Sequence, residues 1–573
     1  MRKGFRGACH AFWHLCRGYW YSEEKWKARG LLLLVVSLNF GTVYFQVGMT
    51  DWFGEFYAAL QIYDEAQIVP LIGKFSALAF ALIFFYVYGV YLQQMLQIKW
   101  RRWMTEKYLS HWMQHQNYYR MQVLGGETDN PDQRISEDIN QFILLALQLV
   151  LGTLQQIMTL VAFCVVLWNL SGNLTIPIGN TSLVIPGYMV WICVVYAVVG
   201  TYLANRVGVR LIGLNFQQQR FEADFRFNMM RVRENGESIA FYGGENAELQ
   251  GFGERFSSVV RNFFRIIRQT KFLNLYIGGY DRISYILPFV LAAPRYFARE
   301  LNLGGFMQVV KAFSQVQEAL AYFVNSYNDI TKFAAVIRRL DSFTERMEEV
   351  EAMDSGVLHE NTAADMLKLE NLQVQLPDGR ILLRNCSLQL AGGSHTLITG
   401  PSGCGKSTLL RTIAGIWPFG QGKLQLPDED RILFLPQRPY LPLGSLRRAV
   451  YYPLSAQGPE ERLQDVLRMV DLERLIGELD TIEDWSRILS LGEQQRIAFA
   501  RVLLVRPMCV FLDESTSALD ESREKAMYEL LKRELPDTSV ISVGHRSTLF
   551  AQHETEFRLT GDGGWQLRPI AAE

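Results

Sequence analysis

The sequence is poor in charge for a protein of its length. Charged residues make up 20% of its 573 residues, whereas hydrophobic residues make up 49% and aromatic residues 13%. A soluble protein of this size normally carries more charge, so part of the chain is expected to lie in lipid. The formal net charge of −1 argues against a chain that binds nucleic acid along its whole length, because such proteins carry a clear basic excess. The length predicts at least two hydrophobic cores.

Cysteine pairs with metal-ligand spacing are also missing. The seven cysteines are scattered and form no CxxC pair: Cys9, Cys16, Cys164, Cys193, Cys386, Cys404 and Cys509. Neither a zinc site nor a disulfide framework is therefore indicated, which fits a reducing or in-membrane setting. The first apolar run begins only at Leu31, after the charged stretch SEEKWKARG, and no small-residue cleavage site follows it. We therefore expect a retained first span and not a signal peptide.

Long apolar runs fill the first half of the chain. At 1.5 Å per residue, runs of about 17 to 27 residues approach the ~30 Å apolar core of a bilayer. Four clean runs begin at Leu31, Phe75, Phe142 and Tyr188. Two further runs, from Phe272 and Leu303, contain charges and are predicted as spans five and six.

The last two runs contain the charged residues Asp281, Arg282, Lys311 and Glu318. A charge at bilayer depth costs at least ~2.5 kcal/mol on insertion scales, so it persists only near the interface or facing a bundle interior or a water-filled cavity. We expect these four side chains to line a polar cavity. Ion pairing between helices, without contact to a transported solute, is the alternative.

Alternate loops differ in the sign of their charge. The loop after span one is acidic, and the loop after span three, NLSGNLTIPIGNTSLVIPG, carries no charge. The segments before span one and between spans two and three are basic, and ten arginines lie between spans four and five, from Arg206 to Arg268. By the positive-inside rule, this pattern predicts six spans with both termini cytoplasmic, and the long basic segments become cytoplasmic helical extensions.

The pattern changes beyond about Ile330. The stretch RRLDSFTERMEEVEAMDSGVLHENTAADM is charged and polar, and from Leu367 short strand-like runs alternate with helical ones. This alternation predicts an α/β domain with a largely parallel sheet. The predicted organisation is a cytoplasmic N-terminal segment (1–29), an all-α six-helix transmembrane domain (30–335), a linker (336–366) and an α/β domain (367–573).

The strongest single motif is LITGPSGCGKSTLLRTIAG, from Leu397 to Gly415. A strand, the pattern GxxxxGK[ST] and a helix follow one another, which is the context of a phosphate-binding loop. Its backbone N–H groups and the helix N-terminus would face the phosphates of ATP, Lys406 would reach the β- and γ-phosphates, and Ser407 would hold Mg²⁺. The predicted nucleotide-binding residues are Gly400, Pro401, Ser402, Gly403, Cys404, Gly405, Lys406, Ser407 and Thr408.

Four further residues carry side chains that an ATPase of this kind needs. MCVFLDEST is an apolar strand that ends in Asp513, a candidate Mg²⁺ ligand, and Glu514, which is placed to polarise the attacking water. His545 in SVGHR is predicted to sense the γ-phosphate, and Gln437 in LPQRPYL to act as a switch on the magnesium side that faces the membrane domain. The predicted catalytic residues are Glu514, His545 and Gln437, and the predicted metal ligands are Ser407, Gln437 and Asp513.

This order of motifs resembles the nucleotide-binding domain of ABC transporters. LSLGEQQR is similar to the LSGGQ signature, with Leu491 and Glu493 in place of a glycine and a glutamine, and Ser517 to Asp520 match the D-loop. NPDQRISEDI, ESIAFYGGENAE and GIWP resemble motifs of the peroxisomal fatty-acyl-CoA half-transporters of subfamily D and of their bacterial BacA/YddA-type relatives.

The resemblance implies a homodimer in which the phosphate loop of one subunit and the signature of the other form each ATP site. Ser490, Gly492, Glu493 and Asp520 then join the predicted nucleotide-binding residues. Ser490 and Gly492 still supply a hydroxyl and a backbone N–H at a helix N-terminus, and Ser-x-x-Glu has capping-box spacing, so the variant signature is predicted to be competent. ATP would favour the closed dimer, and helices around Asn130 to Ile139 would carry that bias to the cavity.

One departure from the family pattern concerns adenine. The stretch LQVQLPDGRILL, from Leu372, lacks the upstream aromatic residue that stacks on the base in many ABC domains. Adenine is then held by aliphatic contacts or by another loop.

Two classes of function stay open. The first is an ATP-driven transporter whose relatives handle cobalamin, hydrophilic peptides or long-chain acyl groups, and the polar residues in spans five and six favour a hydrophilic cargo. The second is a membrane-held ATPase that regulates or assembles a partner. The chain closes in RPIAAE and not in an SKL-type motif, which favours a bacterial inner membrane over a peroxisome.

Overall fold

The computed structural model describes residues 2–124, 130–178, 181–353, 356–361, 366–428, 431–454 and 458–570. Contacts group the chain into two compact units. The helical unit comprises Met1–Leu109 and Asn130–Phe343, and the α/β unit comprises Ser110–Asp129 and Thr344–Glu573. The division falls inside the segment 336–366, where the sequence predicts a linker. The assignment of the segment after span two to the α/β unit was not predicted.

The first part of the chain consists mostly of α-helices, several of them long. They are α1 Arg2–Trp20, α2 Lys25–Gln61, α3 Glu65–Met113, α4 Asn117–Val123, α5 Pro131–Gln133, α6 Ile139–Ser171, α7 Tyr188–Glu234, α8 Gly236–Tyr242, α9 Glu245–Phe297, α10 Leu303–Asn325 and α11 Tyr327–Glu351. A π-helical turn at Arg134–Asp138 joins α5 to α6. The uncharged loop after α6 forms an antiparallel hairpin of β1 Asn173–Ile178 and β2 Thr181–Pro186.

Four helical stretches of the described chain are long and apolar enough to cross a membrane: Lys25–Gln61, Glu65–Val123, Pro131–Ser171 and Tyr188–Glu234. They contain the four clean apolar runs of the sequence. The predicted spans five and six lie in α9 and α10, which are outside this set. Their charged and polar side chains lower the mean hydropathy, which is the same feature that sets these two runs apart in the sequence.

The helix α10 shows how the helical unit is packed. It lies against α2, α6, α7 and α9. Its residues Val309, Phe313 and Val316 follow helical spacing and are fully buried among apolar side chains of α6 and α7. A Cβ on Gly304 would lie 2.0 Å from the backbone oxygen of Gly54, so glycine is needed for α10 to approach α2. The opposite face of α10 carries polar side chains.

The α/β unit contains short strands and helices. Its strands are β3 Val357–Asn361, β4 Leu367–Gln375, β5 Ile381–Leu390, β6 His395–Thr399, β7 Gly420–Leu426, β8 Ile432–Leu435, β9 Gly444–Ser445, β10 Ile482–Glu483, β11 Cys509–Asp513, β12 Ser539–Val543, β13 Thr555–Leu559 and β14 Trp565–Pro569. Its other helices are α12 Lys406–Ile413, α13 Leu446–Tyr451, α14 Glu460–Met469, α15 Trp485–Ile488, α16 Leu491–Val505 and α17 Glu521–Glu534.

The main sheet has the strand order β14-β13-β6-β12-β11-β8. All neighbouring pairs are parallel except β13 and β14, which confirms the predicted largely parallel sheet. Every residue of β6 and β12 is buried, as expected for strands covered on both faces. A second sheet, β3-β7-β4-β5, was not predicted. Its β4–β5 pair is antiparallel and is joined through LPDG, a typical turn sequence.

Candidate functional site

The predicted ATP-site residues meet at one edge of the main sheet. The strands β6, β12, β11 and β8 are consecutive neighbours. They are followed by the phosphate loop, His545, Glu514 and Gln437, respectively. Because the carboxyl ends of parallel strands lie at the same edge, residues far apart in sequence come together there.

The backbone of the phosphate loop requires glycine. Gly400, Gly403 and Gly405 have φ values of 141°, 75° and 105°, which side-chain-bearing residues rarely adopt. A Cβ on Gly400 would lie 2.5 Å from the backbone oxygen of Leu559. The loop leads into the N-terminus of α12 at Lys406. Backbone N–H groups at such a loop and helix end form a cradle that fits phosphate.

The Lys406 side chain is held inside this loop. Its Nζ donates hydrogen bonds of 3.0 Å to the backbone oxygens of Gly400 and Pro401, and the residue is only 7% exposed. The ammonium group is therefore already placed beside the cradle.

Ser407 and Asp513 form the oxygen pair predicted for Mg²⁺. The Ser407 hydroxyl donates to Oδ1 of Asp513 at 3.1 Å. Burial and the neighbouring Glu514 raise the pKa of Asp513, against the hydrogen bond from Ser407. A hydroxyl and a carboxylate in contact fit the oxygen preference of Mg²⁺, which would supply positive charge to the phosphates when bound.

Glu514 is the centre of the predicted catalytic group. Gln437 Nε2 donates to Glu514 Oε2 at 2.9 Å, and His545 Nε2 lies 3.9 Å from Glu514 Oε1. Glu514 has φ 48°, a value that is uncommon outside glycine and that occurs often at functional sites. Its backbone N–H donates to the oxygen of Val543 at 3.1 Å, which fixes this conformation against β12. The structure thus brings the three predicted catalytic residues together.

A cavity of about 250 Å³ opens beside the phosphate loop. It is lined by loop residues, by Glu514 and His545, and by Leu376, Arg380 and Leu382. Its lining within the described chain contains no tyrosine, phenylalanine or tryptophan. The two leucines and the guanidinium group of Arg380 therefore offer the apolar and planar surface beside the phosphate site.

The signature serine caps a helix. Ser490 is the N-cap of α16, and the reciprocal bonds of a capping box are both present: Ser490 Oγ accepts from the Glu493 N–H at 3.4 Å, and Glu493 Oε2 accepts from the Ser490 N–H at 3.0 Å. Glu493 also forms an ion pair with Arg474. Burial raises the pKa of Glu493, but the hydrogen bonds from Arg474 and Ser490 outweigh it and hold that pKa below its ordinary value. The unusual carboxylate is thus neutralised locally.

Gln495 was missed by sequence reasoning. Its side chain is fully buried, and Nε2 donates to the backbone oxygen of Gln437 at 3.0 Å and to Ser517 Oγ at 3.2 Å. Its Oε1 accepts from the Ala518 N–H at 3.0 Å. One amide therefore connects the signature helix, the Gln437 loop and the D-loop. The available signal in the sequence is that Gln495, a polar residue, closely precedes the apolar run IAFA, which is buried in the structure.

The D-loop has a second support. Asp520 is the N-cap of α17, and its Oδ1 accepts from the Arg523 N–H at 2.8 Å. Arg546, next to His545, donates to the backbone oxygens of Ser517 and Leu519, each at 2.8 Å. The loop that the resemblance assigns to the dimer contact is thus fixed from both sides.

A second cavity, of about 380 Å³, lies in the helical unit. Asp281 and Glu318 are among its lining residues, whereas Arg282 and Lys311 are not. Successive residues of a helix point about 100° apart, so Arg282 faces away from the side of α9 that carries Asp281. Lys311 lies on the same side of α10 as Gln315 and Glu318, but about one and two turns nearer the start of the helix. Five glutamines dominate the polar lining and were missed: Gln46, Gln155, Gln156, Gln315 and Gln317. The QQ pair inside an apolar run was the available signal.

The motif NPDQRISEDI contains a buried ionic cluster. Asp138 accepts from Arg339 Nη2 at 2.6 Å and from Nε at 2.9 Å, and it also pairs with Arg134. Asp138 is 2% exposed and Arg134 is 6% exposed. This cluster ties the start of α6 to α11 within the helical unit. In the second motif, ESIAFYGGENAE, the aromatic residues Phe241 and Tyr242 are 82% and 88% exposed.

Comparison with known proteins agrees with this architecture. The family model described as ABC transporter transmembrane region 2 matches residues 15–297, and the model described as ABC transporter matches residues 383–517. The chain is 32% identical to the Escherichia coli inner membrane ABC transporter ATP-binding protein YddA, over 93% of this chain and 94% of that protein. It is 27% identical to the human lysosomal cobalamin transporter ABCD4, over 95% of this chain and 93% of that protein.

A solved structure shows the same fold. A bacterial Atm1-family ABC exporter with ATP bound superposes with a TM-score of 0.71 at 16% identity, over 95% of this chain and 94% of that chain. The predicted fold, helices followed by an α/β nucleotide-binding domain, is confirmed. The chain belongs to the ABC transporters and is an ATP-hydrolysing transporter that fuses the membrane and nucleotide-binding domains in one polypeptide.

Proposed function

We propose that the protein works as a homodimer in a bacterial inner membrane, with both termini cytoplasmic and two equivalent composite ATP sites. The observation that carries the proposal is the cluster of Gln437, Glu514 and His545 beside the phosphate loop. This cluster holds groups that would bind a triphosphate and orient water, but the described lining of the cavity beside it includes no residue of LSLGEQQR. The signature of a second copy would complete it.

Each residue of the cluster has a role that follows from its geometry. The phosphate loop and Lys406 would bind the phosphates, and Ser407 and Asp513 would hold Mg²⁺ with help from Gln437. Glu514 would orient the attacking water and accept its proton, and the hydrogen bond from Gln437 fixes the carboxylate for that task. His545 would donate to the γ-phosphate.

The signature is proposed to act on the ATP of the partner subunit. Ser490 and Gly492 stand at the N-terminus of α16, where backbone N–H groups and the helix dipole favour an anion. Arg474 offsets the charge of Glu493, so this carboxylate does not leave a net negative charge at the phosphate-binding end. Asp520 would contribute to the contact between subunits through the D-loop.

Two segments are proposed to couple ATP binding to the membrane helices. α4 belongs to the α/β unit, where Val123 packs against the hydrophobic core and Arg120 lies within hydrogen-bond distance of the Gly415 oxygen, at 3.5 Å. α4 follows span helix α3 directly in the chain. The segment Asn130 to Ile139 would transmit the preference for the closed dimer to the membrane helices, through the contact of Asp138 with Arg339.

The dimer is also supported by exposed aromatic residues. Phe241 and Tyr242 are more than 80% exposed at the end of α8, in a segment predicted to be cytoplasmic and outside the lipid. Large exposed apolar side chains in water indicate a surface that another protein covers. A second copy of the chain is the proposed partner.

A mixture of two defective variants tests the composite site. Lys406→Ala damages the phosphate loop and Ser490→Ala damages the signature, and each alone should lower Mg²⁺-dependent ATP hydrolysis by at least about tenfold. In a mixed dimer, one site carries both defects and the other carries none. Co-expressed variants with different affinity tags should therefore regain about a quarter of wild-type turnover if assembly is random.

Ser490→Thr is the matched control, because threonine retains the hydroxyl and the capping oxygen. Mixed dimers that stay as inactive as the two parents would show that the sites are not shared between subunits. Full turnover of the Ser490→Ala variant alone would contradict the proposed role of the signature.

For the cargo we propose a hydrophilic solute, of which cobalamin and hydrophilic peptides are examples. The support is the polar lining of the cavity in the helical unit. A long-chain acyl group would leave those amides and carboxylates without partners. Screening such solutes for stimulation of ATP hydrolysis in proteoliposomes tests this, with Glu514→Gln as the inactive control.

A further inference from the structure

The cavity in the helical unit is assembled from four helices. Gln46 comes from α2, Gln155 from α6, Asp281 from α9 and Glu318 from α10. Its volume of about 380 Å³ is in the range of sites that bind small organic molecules. The apolar faces of the helices pack elsewhere, since Val309, Phe313 and Val316 of α10 are fully buried.

The charge of the lining has one sign. It contains the carboxylates Asp281 and Glu318, and the described lining has no lysine, arginine or histidine. In the described part of the chain Asp281 has no ion-pair partner, and Glu318 only accepts from Gln315 Nε2 at 3.4 Å. Carboxylates that are not neutralised within a membrane domain favour a cationic ligand, because an opposite charge offsets their desolvation.

The glutamines add groups that can bind amides. Gln317 is engaged already, since its Oε1 accepts from the Ser284 hydroxyl. The side-chain amides of Gln46, Gln155 and Gln156 have no hydrogen-bond partner among the described residues. Each such amide offers two donors and an acceptor. Together they match a solute that itself carries both donors and acceptors.

Two tyrosines complete the wall. Tyr280 and Tyr322 both line the cavity. Tyr280 stacks on Tyr196 with ring centroids 4.5 Å apart and an interplanar angle of 15°. Its ring is thereby held in position, and an aromatic ring at a site attracts cations through its negative face. This second feature also favours a positively charged ligand.

We propose that this cavity selects a polar organic cation with peptide-like hydrogen-bonding groups, such as a basic oligopeptide, and rejects polyanions such as acyl-CoA. The proposal rests on the transport function proposed above and specifies its cargo class. Asp281 and Glu318 select the charge, and the free glutamine amides bind the backbone-like groups. An anion would meet like charges without a neutralising partner, which is how a site discriminates against it.

Four probes of different charge test the selection in proteoliposomes: trilysine, trialanine, triglutamate and palmitoyl-CoA. The readouts are the probe concentration that gives half-maximal stimulation of ATP hydrolysis and the ATP-dependent redistribution of labelled probe across the membrane. Trilysine is expected to act at a concentration at least about tenfold lower than trialanine. Triglutamate and palmitoyl-CoA are expected to have no effect.

The double variant Asp281→Asn, Glu318→Gln removes both charges with little change in shape. It should shift the half-maximal concentration of trilysine upward by at least about tenfold, and that of trialanine much less. Glu55→Gln is the matched control, since it removes an exposed carboxylate that pairs with Lys74 and lies outside the lining. It should leave the response to trilysine unchanged.

The outcomes separate this proposal from the transport function. Stimulation and redistribution of triglutamate or palmitoyl-CoA in preference to trilysine would overturn the charge selection and leave ATP-driven transport intact. An unchanged trilysine response in the double variant would also overturn it. If ATP is hydrolysed but no probe of any charge is redistributed, the cargo class proposed here fails, whereas the composite ATP site is tested separately by the mixed dimers. The comparison of probes on the wild-type protein holds even if the double variant does not fold.

Discussion

The nucleotide site and the cavity of the helical unit differ in how their polar groups are satisfied. At the nucleotide site Lys406, Ser407 and Gln437 each donate to a protein oxygen at 2.9 to 3.1 Å. In the cavity, the amides of Gln46, Gln155 and Gln156 have no such partner among the described residues. The first site is prearranged for one ligand, and the second leaves its groups available.

The difference follows from the structures that carry the two sites. The nucleotide site stands on parallel strands, two of which, β6 and β12, are buried along their whole length, so the loops at their ends have fixed starting points. The cavity lies between helices that contribute between one and five lining residues each. A rigid frame suits a transition state that is the same in every cycle, whereas adaptable side chains suit binding followed by release.

The largest expected effect separates chemistry from cargo binding. Glu514→Gln removes the proton acceptor but keeps the contact with Gln437, so steady-state ATP hydrolysis should fall by roughly 10²–10⁴-fold. Binding of labelled trilysine to the solubilised protein should be unchanged, because the cavity does not include this residue. Hydrolysis rates and equilibrium binding on the same preparation check both parts. Turnover within a few-fold of wild type would contradict the assignment of Glu514 as the base.

A drop in pH should destabilise the α/β unit through His553. Burial holds the pKa of His553 at about 4, below its ordinary value of 6.5, and nearby His395 and Lys532 act in the same direction. The unfolded chain then binds more protons than the folded one between these values, so the contribution of His553 is present above pH 6.5 and is lost as the pH falls toward 4. The expected loss from pH 7 to pH 5 is about 2 kcal/mol.

The control for this prediction is His553→Gln, which keeps a donor near Leu549 and Ser542, the partners of the ring nitrogens. Thermal unfolding of the full-length protein in detergent, followed at both pH values, gives the difference between wild type and variant. An equal dependence on pH in the two proteins would show that His553 is not the responsible group. Since His553 lies in the α/β unit, this loss of stability at low pH distinguishes the α/β unit from the helical unit.

The smallest expected effect concerns the adenine side of the nucleotide site, where Arg380 lies with Leu376 and Leu382. If the guanidinium plane covers the base, Arg380→Ala should raise the KM for ATP about fivefold with little change in kcat. Arg380→Lys keeps the charge but loses the planar group, so most of the rise should remain. A KM equal to that of wild type in both variants would exclude Arg380 as the contact.

Local motifs made much of the α/β unit predictable. The phosphate loop is contiguous in sequence, and its glycines have a direct conformational reason, as the φ of 141° at Gly400 shows. Asp513 ends an apolar strand, Glu514 follows it and His545 follows another apolar strand, so a parallel sheet was enough to bring them together. Gln495 could not be recognised in this way, because its role depends on loops that approach it from Gln437 and Ala518.

The capping box at LSLGEQQR was also predictable from the Ser-x-x-Glu spacing alone, and the structure contains both of its hydrogen bonds. The ion pair between Arg474 and Glu493 could not be predicted from the sequence, because the two residues come from different elements. Whether the capped helix serves ATP on a partner subunit stays a prediction.

The sequence by itself determined that the chain has apolar spans and an α/β domain with a phosphate loop, since hydrophobic periodicity and glycine-rich turns are local properties. Only the tertiary structure decided which polar residues face the cavity. Asp281 and Arg282 are neighbours in sequence, yet one lines the cavity and the other does not, because the direction of a side chain on a helix depends on its angle and on the helices packed around it. For the same reason the glutamines of the lining were recognised only after the helices were placed.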